Sequence, residues 1–74
     1  MIPREKLVEK IRLTTKYNTY ESKRIISLIY SVYEIFDINK LEKKFDELIL
    51  KYSDLLNILN GMYQSKFKSK IVGI

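Results

Sequence analysis

The feature that most constrains this chain is an apolar ridge in its second half, where large hydrophobic residues alternate at spacings of four and three positions. That spacing keeps all of them on one side of an α-helix. The residues of this ridge are Leu41, Phe45, Leu48, Tyr52, Leu55, Leu59 and Met62. The pattern predicts one long helix over about residues 40–60, which Gly61 ends because glycine tolerates the left-handed conformation that closes helices. The alternative interpretation is a break near Ser53, whose side chain would cap a further helix.

A second apolar face precedes the ridge. Asn18 followed by Glu21 has the form of a capping box and predicts a helix over about residues 19–36. Helical spacing relates the members of this face, which are Ser22, Ile25, Ile26, Ile29, Val32, Tyr33 and Phe36. Because Leu28 and Ile35 widen the face, we expect a central helix that is covered on more than one side. The Asn-x-x-Glu spacing recurs at Asn39, which predicts the start of the next helix there.

The N-terminal region is open to two interpretations. Pro3 suits the first turn of a helix, and Leu7, Val8 and Ile11 form one face, so a shorter helix is expected from residue 3 to residue 11 or 16. Residues 10–17 also alternate between polar and apolar side chains, which is the period of a strand. We interpret the segment as a helix that becomes extended near Arg12.

The expected fold class is therefore all-α. It is a small bundle of two long helices, about 19–36 and 40–60, with a shorter N-terminal helix. Residues 1–61 form a single helical domain, and residues 62–74 form a basic C-terminal tail. The ridge and its flank carry more apolar surface than a chain of 74 residues hides easily, and each Leu or Ile left in water forfeits about 1.5–3 kcal/mol. We therefore predict a homodimer that pairs along the ridge.

The composition argues against catalysis. The chain contains no Cys and no His, which removes thiolate chemistry, the commonest general base and the commonest metal ligand. We predict no catalytic residue, no cofactor and no metal. The chain has no apolar run near the roughly 20 residues that span a bilayer, so no transmembrane segment is expected. A cysteine-free sequence also fits a cytoplasmic protein.

Positive charge is concentrated at the two ends of the chain. The net charge is +5; residues 1–18 carry five basic and two acidic residues, and residues 61–74 carry three lysines and no acid. Basic ends beside a nearly neutral middle fit contact with an anionic partner. The candidate nucleic-acid or anion contacts are Lys10, Arg12, Thr14, Lys16, Lys40, Lys66, Lys68 and Lys70.

Two functions follow from these features. The first is a non-enzymatic helical binding module that acts through dimerisation and contacts with another protein. The second is a DNA-binding regulator. With residues 10–17 as a strand, the order of elements over about residues 10–52 resembles the ribbon-helix-helix repressors. That resemblance implies a dimer whose paired strands point Lys10, Arg12 and Thr14 toward the bases. In a helix-turn-helix variant, residues 18–24 form the base-reading end of a helix.

Overall fold

The computed structural model describes residues 3–72 and the side chains of residues 3–67. It contains four helices, which are α1 (Pro3–Thr14), α2 (Thr19–Tyr33), α3 (Ile38–Lys51) and α4 (Leu55–Val72). No strand occurs within this described range. The all-α prediction is confirmed, and the lengths of the predicted helices need correction.

Helix α2 begins as predicted, at a complete capping box. The Asn18 side-chain oxygen accepts a hydrogen bond from the Glu21 N–H at 2.8 Å, and the Glu21 carboxylate accepts one from the Asn18 N–H at 2.9 Å. The helix ends at Tyr33, earlier than the predicted residue 36, because Glu34 adopts the left-handed conformation with φ 55° and ψ 46°. Phe36 therefore leaves the predicted buried face and is 72% exposed.

The N-cap of helix α3 lies two residues before the predicted cap, Asn39. The side chain of Asp37 accepts hydrogen bonds from the backbone N–H groups of Asn39 at 2.8 Å and Lys40 at 3.2 Å. A carboxylate also interacts favourably with the positive end of the helix dipole. Asp37, and not Asn39, is therefore the N-cap.

The predicted single helix over residues 40–60 is wrong, and the alternative break near Ser53 is what the structure contains. Helix α3 ends at Lys51, Tyr52 is extended with φ −122° and ψ 124°, and α4 starts at Leu55. A straight helix of that length would measure about 30 Å. Helix α2 has 15 residues and measures only about 22 Å. The break lets both halves of the ridge pack against the core.

Helix α4 passes through Gly61 and continues to Val72. The predicted helix stop at this glycine is therefore wrong, and the first part of the predicted tail, from residue 62 to residue 72, is helical. Gly61 does not adopt a positive φ, so it forms an ordinary part of the helix. Residues 73 and 74 of the predicted tail lie outside the described residues.

The helices run alternately up and down around α2. Helix α2 contacts each of the other three helices and packs most extensively on α4. Arg24 lies beside Asn60, and Ser31 lies beside Lys66, so α2 and α4 point in the same direction. The molecule measures 43 × 24 × 20 Å. The position of α2 confirms the expected central helix.

The ridge is enclosed by its own subunit. Leu55 and Leu59 are fully buried, and the other buried ridge residues are Leu41, Phe45 and Leu48. Tyr52 and Met62 are half-buried and pack against the same core. The expectation that one copy cannot cover the ridge is therefore wrong, because the break at Tyr52 folds the two halves onto α2. A dimer through the five buried ridge residues loses its physical basis, and pairing would have to use surface that the subunit leaves open, including the half-buried Tyr52 and Met62.

Candidate functional site

An open groove follows one flank of α4. We call it the α4 groove; it has a volume of about 660 Å³ and is lined by Tyr52, Asn57, Ile58, Gly61, Met62 and Ser65. Leu55 and Leu59 turn one side of α4 toward α2. Because successive helical residues are rotated by about 100°, Ile58 and Met62 lie beside that buried side. The helix thus presents a second, partly apolar strip that its own subunit leaves open.

Met62 is fixed at the edge of the α4 groove by α2. The Tyr33 hydroxyl donates to the Met62 Sδ atom over 3.6 Å. The Tyr33 ring also contacts Lys44 of α3, whose Nζ atom is 5.0 Å from the ring centroid. Contacts from two helices therefore position the thioether, which is a flexible and polarizable group suited to apolar contacts.

Gly61 lies in an open part of the α4 groove. Apart from the adjoining residues and backbone of its own helix, no atom lies within 4 Å of the position that a Cβ atom would occupy on this residue. The backbone of α4 is therefore accessible to a close neighbour, and two helices with small residues at their contact approach nearer than the 10 Å of bulky pairs. None of the groove-lining residues carries a formal charge. These properties suit an apolar helix more than a charged ligand.

A second, more polar cleft lies where the α1–α2 turn meets the start of α4. It has a volume of about 400 Å³ and is lined by Lys16, Tyr17, Glu21, Asp54, Leu56, Asn57 and Asn60. The buried Tyr17 hydroxyl accepts a hydrogen bond from the Leu56 N–H at 3.2 Å, which satisfies one of the unpaired N–H groups at the start of the helix. Glu21 is already engaged in the capping box. Tyr17 and Glu21 therefore serve the fold.

Lys10, predicted as a nucleic-acid contact, joins α1 to α3. Its Nζ atom is 2.7 Å from a Glu42 carboxylate oxygen and 2.9 Å from an Asp46 oxygen. The hydrogen bond with Glu42, followed by that with Asp46, raises the pKa of Lys10 above its ordinary value of 10.5. The ammonium group is thus engaged by two carboxylates within the subunit.

The other predicted contacts near Lys10 lie toward the C-terminal end of α1. Arg12 pairs with Glu9 at 2.8 Å, and the Thr14 hydroxyl donates to the Lys10 carbonyl oxygen at 2.7 Å. Lys16 is exposed, with its Nζ atom 5.8 Å from the centroid of the Tyr17 ring.

Two of the remaining predicted contacts, Lys40 and Lys66, lie at the opposite end of the bundle. Lys66 donates hydrogen bonds to the carbonyl oxygens of Ser31 at 2.9 Å and Val32 at 3.3 Å. A cation at this position satisfies the negative end of the α2 dipole. Lys40 is exposed at the start of α3, and the side chains of Lys68 and Lys70 lie outside the described part of the chain. The fold therefore places the predicted contacts whose side chains are described at two opposite ends of the helical bundle, and they do not form one patch.

The sequence analysis missed the α4 groove because it treated Gly61 as a helix stop. A signal for the longer helix was present, since Leu55, Leu59, Met62 and Lys66 keep helical spacing across the glycine. An isolated glycine inside such a pattern is tolerated in a helix.

No family model matches this chain, and the comparisons with curated proteins and with solved structures found no match. Among the described residues, no three His, Cys, Asp or Glu side chains come together in a way that would hold a metal ion. None of the helices in the described range combines the length and apolar character needed to cross a membrane.

Proposed function

We propose that this chain is a non-enzymatic helical interaction module that pairs with a second copy of itself and presents a surface to another protein. The observation that carries the proposal is the α4 groove, an open and uncharged strip that remains after the subunit has buried five of the seven ridge residues. Its occupation by a partner would remove the half-buried Ile58 and Met62 from water. As part of the same proposal, we place this cysteine-free chain in the cytoplasm.

A surface for another protein is available at the turn between α2 and α3. Tyr30 and Phe36 form an edge-to-face pair with ring centroids 5.0 Å apart, and their side chains are 45% and 72% exposed. One ring comes from the last turn of α2 and the other from the connection to α3. Aromatic residues present a large contact area and are common among the residues that dominate binding energy. This pair supports a second contact that is separate from self-association.

Sedimentation equilibrium on the wild-type protein at micromolar concentrations tests the proposal. We expect the weight-average mass to rise with concentration from the 8.9 kDa of one chain toward twice that value. A weight-average mass that stays at 8.9 kDa over the whole concentration range would contradict self-association, and with it the first part of the proposed function.

DNA binding is the second candidate function, favoured by the net charge of +5 and by the exposed Lys16. Its ribbon-helix-helix form needs a strand where the structure has α1, and it needs Lys10 free of Glu42 and Asp46. The helix-turn-helix form uses residues 18–24, where Asn18 and Glu21 are engaged in the capping box.

Fluorescence anisotropy with a labelled DNA duplex distinguishes the two candidates. The interaction module predicts no saturable binding at tens of micromolar protein and ~100 mM salt. Saturable binding that weakens steeply with salt, and weakens further in Lys16→Glu, would favour the DNA candidate instead.

A further inference from the structure

We infer that the α4 groove is occupied by α4 of a second copy, and that the two helices cross antiparallel about a two-fold axis near Gly61. This inference rests on the proposed function and names the partner and the surface that the proposed pairing uses. A two-fold interface uses the same patch on both subunits. The α4 groove meets this condition, because most of its lining comes from the helix that would fill it.

Sterically, Gly61 allows the axis to lie close to the helix backbone. An added Cβ atom at this residue would have no neighbour within 4 Å, so the facing helix can approach to the short end of the usual 8–10 Å range. Asn57 and Ser65 lie four residues before and after Gly61. In an antiparallel crossing, Asn57 of each copy therefore lies opposite Ser65 of the partner subunit, and their side chains can form hydrogen bonds.

The same antiparallel arrangement would bury the apolar side chains of the α4 groove. Ile58 and Met62 flank Gly61 and are half-buried in the single subunit, as is Tyr52 at the end of the groove. A second helix over this strip buries the remaining apolar surface of all three on both copies. The Tyr52 hydroxyl group can remain in contact with water at the edge of such an interface.

Charge complementarity selects the antiparallel direction. After Gly61, the sequence of α4 contains Lys66, which is engaged by the C-terminal end of α2, then Lys68 and Lys70, and no acidic residue. Asp54, in contrast, precedes the first residue of the helix. An antiparallel crossing brings the basic half of one helix toward Asp54 of the partner subunit. A parallel crossing would place the two basic halves side by side. Antiparallel helix dipoles also attract one another.

Sedimentation equilibrium on Gly61→Arg, compared with wild type and Leu50→Arg, tests the inference. Both variants introduce the same side chain, and Leu50 is 90% exposed on α3 and is not among the residues that line the α4 groove. We expect Gly61→Arg to weaken self-association at least about tenfold, because it places unpaired charges in the buried contact. Leu50→Arg should associate like wild type. Circular dichroism checks that both variants keep the helical content of wild type.

The outcomes separate the inference from the proposed function. If the wild type is monomeric, both fail. If the wild type pairs, and Gly61→Arg pairs equally well or Leu50→Arg is the variant that dissociates, only this inference fails. Asp54→Lys tests the direction of the crossing. We expect it to pair more weakly than wild type at low salt and to approach wild type as salt screens the repulsion, and unchanged pairing at low salt would overturn the antiparallel direction.

Discussion

At the scale of single residues, the least favourable group in the core is the hydroxyl of Ser22. This side chain is fully buried in α2, and its oxygen has no hydrogen-bond partner. Removing a buried unsatisfied hydroxyl, and gaining the helix propensity of alanine, should stabilise the fold. We expect Ser22→Ala to raise the free energy of unfolding by about 1 kcal/mol, measured by urea denaturation.

Ser27→Ala is the matched control on the same helix. It gains the same helix propensity but loses a hydrogen bond, since the Ser27 hydroxyl accepts from the Arg4 guanidinium at 3.3 Å. The difference in stability between the two variants reports the cost of the buried hydroxyl together with the exposed hydrogen bond that Ser27→Ala loses. A Ser22→Ala protein that is no more stable than Ser27→Ala would contradict this account of the core.

Lys10 makes stability depend on pH in the alkaline range. Its pKa in the folded protein is raised above 10.5 by Glu42 and Asp46. Its contribution to stability is therefore complete below the ordinary pKa and is lost as the pH rises through the raised value. In thermal melts, we expect the difference in Tm between wild type and Lys10→Met to shrink as the pH rises above 10.5.

Lys43→Met, at an exposed position on α3, is the control for that series. Its difference from wild type should change less with pH than that of Lys10→Met. If both variants show the same pH dependence, the interaction of Lys10 with its two carboxylates does not contribute to stability.

At the scale of helices, local signals in the sequence were sufficient where a single side chain sets a boundary. The capping box at Asn18 placed the start of α2 because its two hydrogen bonds involve residues only three apart. The break before α4 was not decided by such a signal. Tyr52 and Leu55 are three residues apart, a spacing that fits both a continuous helix and a tight turn between two helices. The choice depends on burial against α2, which the local pattern does not contain.

Helix α4 provides a prediction of its own, because Gly61 lies in its interior with a negative φ and open space around it. Alanine at this position loses less conformational entropy on folding. We expect Gly61→Ala to raise the free energy of unfolding by about 0.5–1 kcal/mol in chemical denaturation at a protein concentration that keeps the chain monomeric.

Gln64→Ala is the control for this helix, at an exposed position in the next turn. It should change stability by only a few tenths of a kcal/mol, because Gln and Ala have similar helix propensities. A destabilised Gly61→Ala protein would contradict a continuous helix through residue 61.

At the scale of the whole molecule, the sequence predicted the helical class and a central α2 but not how the subunit closes. The apolar spacing of the ridge does not reveal that a break at Tyr52 lets one copy cover both halves. Lys10 looked available to an anion because its partners lie far along the chain, at Glu42 and Asp46. Only the packing of α1 beside α3 brings them together. The sequence identified which residues are apolar and which are charged. It did not identify the residues that they contact, because those contacts depend on how the helices pack.

The central claim is that a self-enclosed subunit pairs along α4 at Gly61, and cysteine cross-linking tests it most directly. The chain has no native Cys, so a single introduced thiol can react only with its counterpart in another copy. Under mild oxidation at micromolar concentration, we predict that Gly61→Cys becomes a disulfide-linked dimer while Leu50→Cys remains largely monomeric. Equal yields for the two variants, or a higher yield for Leu50→Cys, would contradict the claim.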